Sequence, residues 1–198
     1  MKNKWKWVYN PFEFVAGWKA FGIGVVILCI TTIVGYFGSM VFYGVSAKVV
    51  PFITWSRAFS LQFLGLAVTV IVMYLVALIF AKHVRFQDIL GTVTLSKYPF
   101  LLMALLNLLI GKKMVEFGKE MKGMNVSELM NIKFSFTDLI PLLIFSFFAI
   151  ILLVWLITLL FNAFRVSTNL KGIKCAVLFI SIILVSEIIT SVLVHIIY

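Results

Sequence analysis

The sequence contains few charged residues, and acidic residues are especially rare. Of its 198 residues only 12% are charged, with 7 Asp or Glu against 17 Lys or Arg. Because soluble domains are typically about a quarter charged, this composition excludes an ordinary soluble domain. Hydrophobic residues make up 63% of the chain, and the mean hydropathy is +1.15. Together these values predict an integral membrane protein.

The sequence is also poor in residues that build metal sites and nucleophilic sites. Its 2 cysteines, Cys29 and Cys175, lie inside or at the edge of separate apolar runs, so we expect them to pack in helices without forming a disulfide or a zinc site. The 2 histidines, His83 and His195, lie at opposite ends of the predicted topology. No P-loop, GxGxxG, HExxH, CxxC or nucleophile-elbow motif occurs. We therefore expect no enzymatic activity, no catalytic residues, no bound metal and no cofactor.

The net charge of +10 comes from Lys and Arg residues that lie in short pieces between apolar runs. A nucleic-acid-binding protein would instead cluster its basic residues on one soluble domain. We therefore expect no nucleic-acid partner. The distribution indicates topology signals and contacts with a lipid bilayer that has anionic headgroups.

Five long apolar runs are present, and each approaches or exceeds the roughly 20 residues that a helix needs to cross a bilayer. They predict an all-α polytopic transmembrane bundle of five helices, which forms a single membrane domain over residues 1–198. The predicted spans are about 20–44, 58–81, 89–111, 139–164 and 175–197. The third run is interrupted by the sequence Lys97-Tyr98-Pro99, which predicts a broken or strongly tilted helix, with a re-entrant hairpin as the alternative.

Two features describe the start of the chain. Asn10 as an N-cap, Pro11 at the first helical position and Glu13 three residues after the cap predict a short interfacial helix at about 10–18. A ladder of small residues then begins the first span and predicts a face for close helix packing; it consists of Ala16, Ala20 and Gly24.

The distribution of Lys and Arg predicts the orientation. With the N-terminus inside, we count ten basic residues on the inner side, Lys97 among them, and seven on the outer side. Five of the outer seven lie in the predicted extramembrane segment 112–137, which forms either a surface helix or an irregular loop. We expect a cytoplasmic N-terminus and an outer C-terminus.

Polar residues inside the spans are the main candidates for a functional site. Glu187 lies deep in the fifth span, and Thr190 and Ser191 follow it at i+3 and i+4 on the same helical face. Such a face must turn toward the bundle or a water-filled space. Asn107 in the third span and the break at Pro99 are its expected partners. Two interpretations of this carboxyl group remain open. It binds an ion or a proton, or it is protonated or hydrogen-bonded and fixes the packing of the helices. Gln62 and Asn162 lie nearer span ends, where we expect structural roles.

Three segments of the sequence occur in a distinctive order. An Asn-Pro turn (Asn10, Pro11) precedes the first span, the stretch "FQDILGTVTLSKYPFLL" follows the second span, and the stretch "NAFRVSTNLKGIKCAV" follows the fourth span. In this order the chain resembles the Yip domain family of five-span membrane proteins, and the last stretch resembles the polar loop before the last helix of that family. The positions that match the family's loop are Phe86, Gln87, Gly91, Ser96 and Pro99.

The resemblance implies a five-helix bundle with a cytoplasmic N-terminus and, in eukaryotic relatives, binding of Rab-type GTPases in membrane traffic. Only about ten residues precede the first predicted helix, which does not favour GTPase binding. The minimal size and the composition rich in Lys and Ile indicate a bacterial member in the inner (plasma) membrane. We expect a non-enzymatic role in organising the membrane or binding partners, which include a second copy or another membrane protein. The alternative is a small transporter or channel component that uses Glu187.

Overall fold

The computed structural model describes residues 6–50, 53–81, 83–110 and 136–197. Five helical spans within these residues are long and apolar enough to cross a membrane, which confirms the predicted all-α membrane bundle. The predicted extramembrane segment 112–137 lies almost wholly outside the described residues. The elements are α1 (Lys6–Tyr9), a 3-10 turn (Pro11–Glu13), α2 (Gly17–Phe37), β1 (Met40–Tyr43), β2 (Ser46–Val49), α3 (Trp55–Phe80), α4 (Phe86–Ser96), α5 (99–110), α6 (Phe136–Thr168) and α7 (Gly172–Ile197).

The interfacial helix predicted at about 10–18 is wrong as a continuous element. Asn10 does precede a helical turn that begins with Pro11, but this turn is a 3-10 turn of three residues. The Asn10 side-chain amide donates a hydrogen bond to the Glu13 carboxylate over 2.8 Å and does not cap the backbone. After this turn the next helix begins at Gly17, whose φ of 59° interrupts the helical path.

The N-terminal segment instead packs against the bundle. The Val8 carbonyl accepts hydrogen bonds from the Tyr98 hydroxyl at 2.7 Å and the Trp155 indole at 2.8 Å. The Tyr9 carbonyl accepts a hydrogen bond from the Asn162 amide at 2.7 Å. Helix α6 and the α4–α5 break therefore satisfy backbone groups of this segment, and Asn162 has a structural contact.

The first span ends earlier than the predicted residue 44. Helix α2 ends at Phe37, and a two-stranded antiparallel hairpin formed by β1 and β2 follows. Tyr43 pairs with Ser46 across a loop of two residues. Its first residue, Gly44, has φ of 57°, a conformation that favours glycine in tight hairpin loops. All four residues of β1 are buried, so this strand packs within the bundle, whereas β2 is partly exposed.

The third span is a broken helix, as the first of the two sequence interpretations expected. Pro99 has no N–H group to donate, so the regular helical ladder cannot continue through it. Around the break, Lys97 N donates to the Thr94 carbonyl and Tyr98 N to the Leu95 carbonyl, both over 3.3 Å. These i→i+3 bonds satisfy carbonyls that the break would otherwise leave free, and the helix resumes as α5.

Small residues bring α2 and α4 into close contact. A Cβ atom added at Gly24 would lie 2.7 Å from the Leu95 backbone nitrogen, and one added at Gly91 would lie 2.2 Å from the Gly17 carbonyl oxygen. Ala20 is fully buried in the same contact, whereas Ala16 is exposed at the N-cap of α2. The small-residue ladder therefore packs against α4 through two of its three members.

Candidate functional site

The tip of the β1–β2 hairpin lies deep among the helices. A Cβ atom added at Gly65, in α3, would lie 2.1 Å from the Gly44 nitrogen, so only glycine allows the hairpin to approach α3 this closely. Lys97 reaches the tip from the α4–α5 break, and Glu187 reaches it from α7. Gly65 is the eleventh residue of α3, and Glu187 is the sixteenth of α7. At about 1.5 Å per residue, both positions fall near mid-membrane.

Lys97 carries its charge into the interior of the protein. Its side chain is 2% exposed, and its ammonium group donates a hydrogen bond to the Gly44 carbonyl. The ammonium nitrogen also lies 5.6 Å from the centroid of the Phe100 ring, within reach of a cation–π interaction. The sequence interpretation that counted Lys97 among the inner-surface charges is therefore wrong. Without Lys97, the predicted excess on the inner side falls to nine against seven.

Glu187 binds the other side of the same turn. One carboxylate oxygen accepts a hydrogen bond from the Val45 backbone N–H. The other accepts one from the Ser46 hydroxyl over 2.9 Å. A re-entrant backbone within a membrane protein must find partners for its polar groups, because the hydrocarbon supplies none. Lys97 and Glu187 supply them for adjacent groups of one tight turn.

The two side chains also complement each other electrostatically. Lys97 and Glu187 carry opposite charges and bind adjacent groups of the same turn, and an anion near a buried ammonium group opposes the cost of burying it. A buried charge without a partner costs several kcal/mol, on the order of 3–5 when one member of a pair is removed. The hairpin turn, the cation and the anion therefore form one unit, which we call the hairpin lock: Gly44, Val45, Ser46, Lys97 and Glu187.

The other residues of the predicted polar site lie in different surroundings. Thr190 is fully buried, and its hydroxyl has no hydrogen-bond partner among the described residues. Ser191 is exposed and faces the cavity described below. The Asn107 amide donates to the Gly38 carbonyl over 2.6 Å, at the end of α2. Asn107 was expected to meet Glu187, but the hairpin occupies that place.

The residues that match the family's loop lie along α4 and at its break. Phe86 is exposed and packs edge-on against the Tyr74 ring, with centroids 5.2 Å apart. Gln87 is partly buried, and Gly91 contacts the start of α2. The Ser96 hydroxyl donates to a backbone carbonyl of its own helix, and Pro99 is buried beside Lys97. This stretch therefore positions the cation of the hairpin lock.

The hairpin separates two spaces in the bundle. A narrow cavity, too small for a water molecule, lies at the hairpin tip and is lined by Gly44, Lys97 and Gln62. The Gln62 carbonyl oxygen is buried there without a hydrogen-bond partner among the described residues. On the other side lies an open cavity of about 440 Å³. We call it the vestibule, and it is lined by Val41, Tyr43, Lys48, Val50, Ile53, Arg57, Leu61, Ser191, Val194 and His195.

Sequence reasoning missed the hairpin and, with it, the role of Lys97. The stretch "SMVFYGVSAKVV" at residues 39–50 does contain a signal, since residues with high strand propensity flank a central glycine. The same residues are apolar enough to extend a membrane helix, so hydropathy alone predicts that the first span continues through them. Among the described residues, no group of three or more His, Cys, Asp or Glu side chains forms a cluster.

The fold and the hairpin lock define a class: a multi-pass integral membrane protein with a re-entrant β-hairpin. Comparison with known proteins found no matching family model, no matching curated protein and no matching solved structure. What the chain does must therefore be inferred from its own geometry.

Proposed function

We propose that this protein is a non-enzymatic membrane-organising or partner-binding protein, with a role like that of the Yip family. In this proposal it recognises its partners at the vestibule, on the hairpin side of the membrane. One observation carries the proposal: Lys97 and Glu187 both direct their charged groups to the turn of the hairpin. Charges within a membrane span are costly to retain and commonly mark function.

The position of the hairpin determines the shape of the vestibule. Tyr43 of β1 and Lys48 of β2 line this cavity, and the Lys48 ammonium lies 5.4 Å from the Tyr43 ring centroid. A hairpin that is held at its tip keeps both residues in fixed positions. Binding sites gain affinity from such preorganisation because less conformational freedom is lost on binding. The hairpin lock thus supports a binding surface while taking no part in binding itself.

The proposal includes the location. We infer an inner membrane of a bacterium, with the N-terminus in the cytoplasm. In this orientation the hairpin and the vestibule face outward, because α2 rises from the N-terminal side and the hairpin follows its far end.

Site-specific photocrosslinking tests the proposal. A photoreactive amino acid replaces Ser191, which is exposed in the vestibule, and in a separate variant replaces Ile79, which is 74% exposed on α3. We expect a discrete protein adduct, with a second copy or another membrane protein, from position 191 only. The added substitution Lys97→Met should weaken this adduct, because it releases the hairpin. Lipid adducts alone at both positions would contradict the proposal.

A second candidate function is transport, in which Glu187 carries a cation or proton. The specific observation in its favour is that Tyr43 borders both the narrow cavity and the vestibule, so movement of the hairpin would join the two spaces. Against it, the carboxylate is already occupied by the hairpin turn.

Flux into proteoliposomes separates the two functions. Cation and proton uptake are compared for the wild type, Glu187→Gln and protein-free liposomes. Transport through Glu187 requires wild-type flux above the liposome background and a loss of that flux in the variant. Equal flux in both proteins would remove Glu187 from the mechanism, and background flux in both would eliminate transport of these ions.

A further inference from the structure

The vestibule is a basic cavity with an apolar floor. Three side chains that line it are basic, namely Lys48, Arg57 and His195, and all three are exposed. Basic groups gathered in a concave site attract an anion more strongly, because low-dielectric walls focus their field.

The position of these residues places the cavity at the surface of the bilayer. Arg57 is the third residue of α3, and His195 lies two residues before the end of α7. Lys48 is on β2, near the open end of the hairpin. The start of α3 adds the partial positive charge of a helix N-terminus, capped by the Thr54 hydroxyl. Lipid phosphates lie at this depth.

The apolar part of the lining adds a second requirement for the ligand. Val41, Leu61 and Val194 face the same cavity below the basic residues, and the first two are almost fully buried. Ser191 and Tyr43 supply hydroxyl groups. A cavity of about 440 Å³ falls within the usual range for ligand sites, about 300–1,000 Å³. A phosphate group attached to a small apolar or glycerol portion matches this lining better than a simple inorganic anion.

We propose that the vestibule binds the phosphate group of an anionic phospholipid through Lys48, Arg57 and His195. This inference rests on the proposed function, since it names the ligand chemistry that the vestibule recognises. A bound headgroup would then form part of the surface that a partner meets. The same phosphate chemistry also occurs in soluble phosphate esters, so the experiment must distinguish the two sources.

Native mass spectrometry of the full chain in detergent tests the proposal. The probes are phosphatidylglycerol and phosphatidylcholine with identical acyl chains, and glycerol 3-phosphate as the soluble arm. We expect the wild type to retain phosphatidylglycerol over phosphatidylcholine. The triple variant Lys48→Gln, Arg57→Gln, His195→Gln should lose this preference. Since one charge-assisted contact commonly contributes about tenfold in affinity, we expect at least about a tenfold loss.

A matched control removes charge elsewhere. The triple variant Lys19→Gln, Arg165→Gln, His83→Gln changes one exposed Lys, one exposed Arg and one exposed His at the opposite end of the bundle. It should retain phosphatidylglycerol like the wild type. Equal losses in both triple variants would show that only net charge matters and would overturn the proposal, as would retention by the vestibule variant.

The remaining outcomes identify the source of the phosphate. Failure of glycerol 3-phosphate to compete supports the lipid, whereas soluble binding without lipid selectivity overturns the lipid proposal in favour of a phosphate ester. Thermal unfolding without added lipid verifies that the vestibule variant is folded. If lipid selectivity fails while the photocrosslink at position 191 persists, only this inference falls and the proposed partner-binding function stands.

Discussion

Removing both charges of the hairpin lock should destabilise the protein by less than the sum of the two single removals, because the double variant leaves no lone charge. Lys97→Met leaves the Gly44 carbonyl without its donor and leaves Glu187 without its cation. Glu187→Gln retains an amide oxygen that can accept from Val45, but it leaves the Lys97 ammonium buried without an anion. A double-mutant cycle of these two substitutions therefore tests whether the lock acts as one unit.

The burial of each side chain sets the expected loss of unfolding free energy. Lys97 is 2% exposed, and removal of one partner of a buried charge pair costs about 3–5 kcal/mol, so we expect this range for Lys97→Met. Glu187 is only partly buried and its replacement keeps one acceptor, so we place Glu187→Gln at the lower end, about 3 kcal/mol. The double variant leaves no lone charge. Its cost should fall below the sum of the single costs by about 1–3 kcal/mol.

Reversible unfolding in mixed detergent and SDS micelles measures these free energies. Lys171→Met, at an exposed position between α6 and α7, serves as the control and should change stability by no more than about 0.5 kcal/mol. Additive costs in the double variant, within about 0.5 kcal/mol, would refute the coupling through the hairpin turn. A neutral effect of Lys97→Met would contradict the role of Lys97 in holding the hairpin turn.

Three further predictions test other parts of the structure. Gly65→Ala would place a methyl group 2.1 Å from the hairpin backbone and should cost about 1–3 kcal/mol, whereas Gly22→Ala has nothing within 4 Å and should be neutral or slightly stabilising in the same unfolding assay. Asn107→Leu removes the donor to the carbonyl at the end of α2 and should cost about 1–3 kcal/mol by that assay; a cost indistinguishable from that of Gly22→Ala would contradict the contact. In a background without the two native cysteines, a membrane-impermeant maleimide applied to intact cells should label Lys48→Cys but not Lys171→Cys; the reverse pattern would overturn the proposed orientation.

Some features of the fold follow from local sequence alone. The number of spans follows from apolar length, because a helix of about 20 apolar residues is the simplest way to satisfy its backbone in hydrocarbon. The break in the third span follows from Pro99, which removes one backbone donor wherever the helix lies. The ladder of small residues predicted a close-packing face on α2, since Ala20 and Gly24 allow backbones to approach, but only the fold shows that α4 is the helix that packs there.

The partner of Glu187 did not follow from the sequence. The periodicity of Glu187 and Thr190 indicated a polar face on one helix, but nothing local says which segment lies opposite. The distance along the chain between Glu187 and Val45 is 142 residues, and their contact exists only because α7 packs beside α3 and the hairpin. The expectation that Asn107 would fill this place failed for that reason.

The sequence by itself determined the class of the protein, an integral membrane bundle, because composition and apolar length depend on no long-range contact. Tertiary structure decided which charges enter the interior. From the sequence, Lys97 is predicted to be a surface charge where the third apolar run is interrupted, yet in the fold it is buried against the Gly44 carbonyl. The physical reason is that a re-entrant turn needs donors and acceptors within the membrane, and only the assembled helices bring a cation and an anion to the same turn.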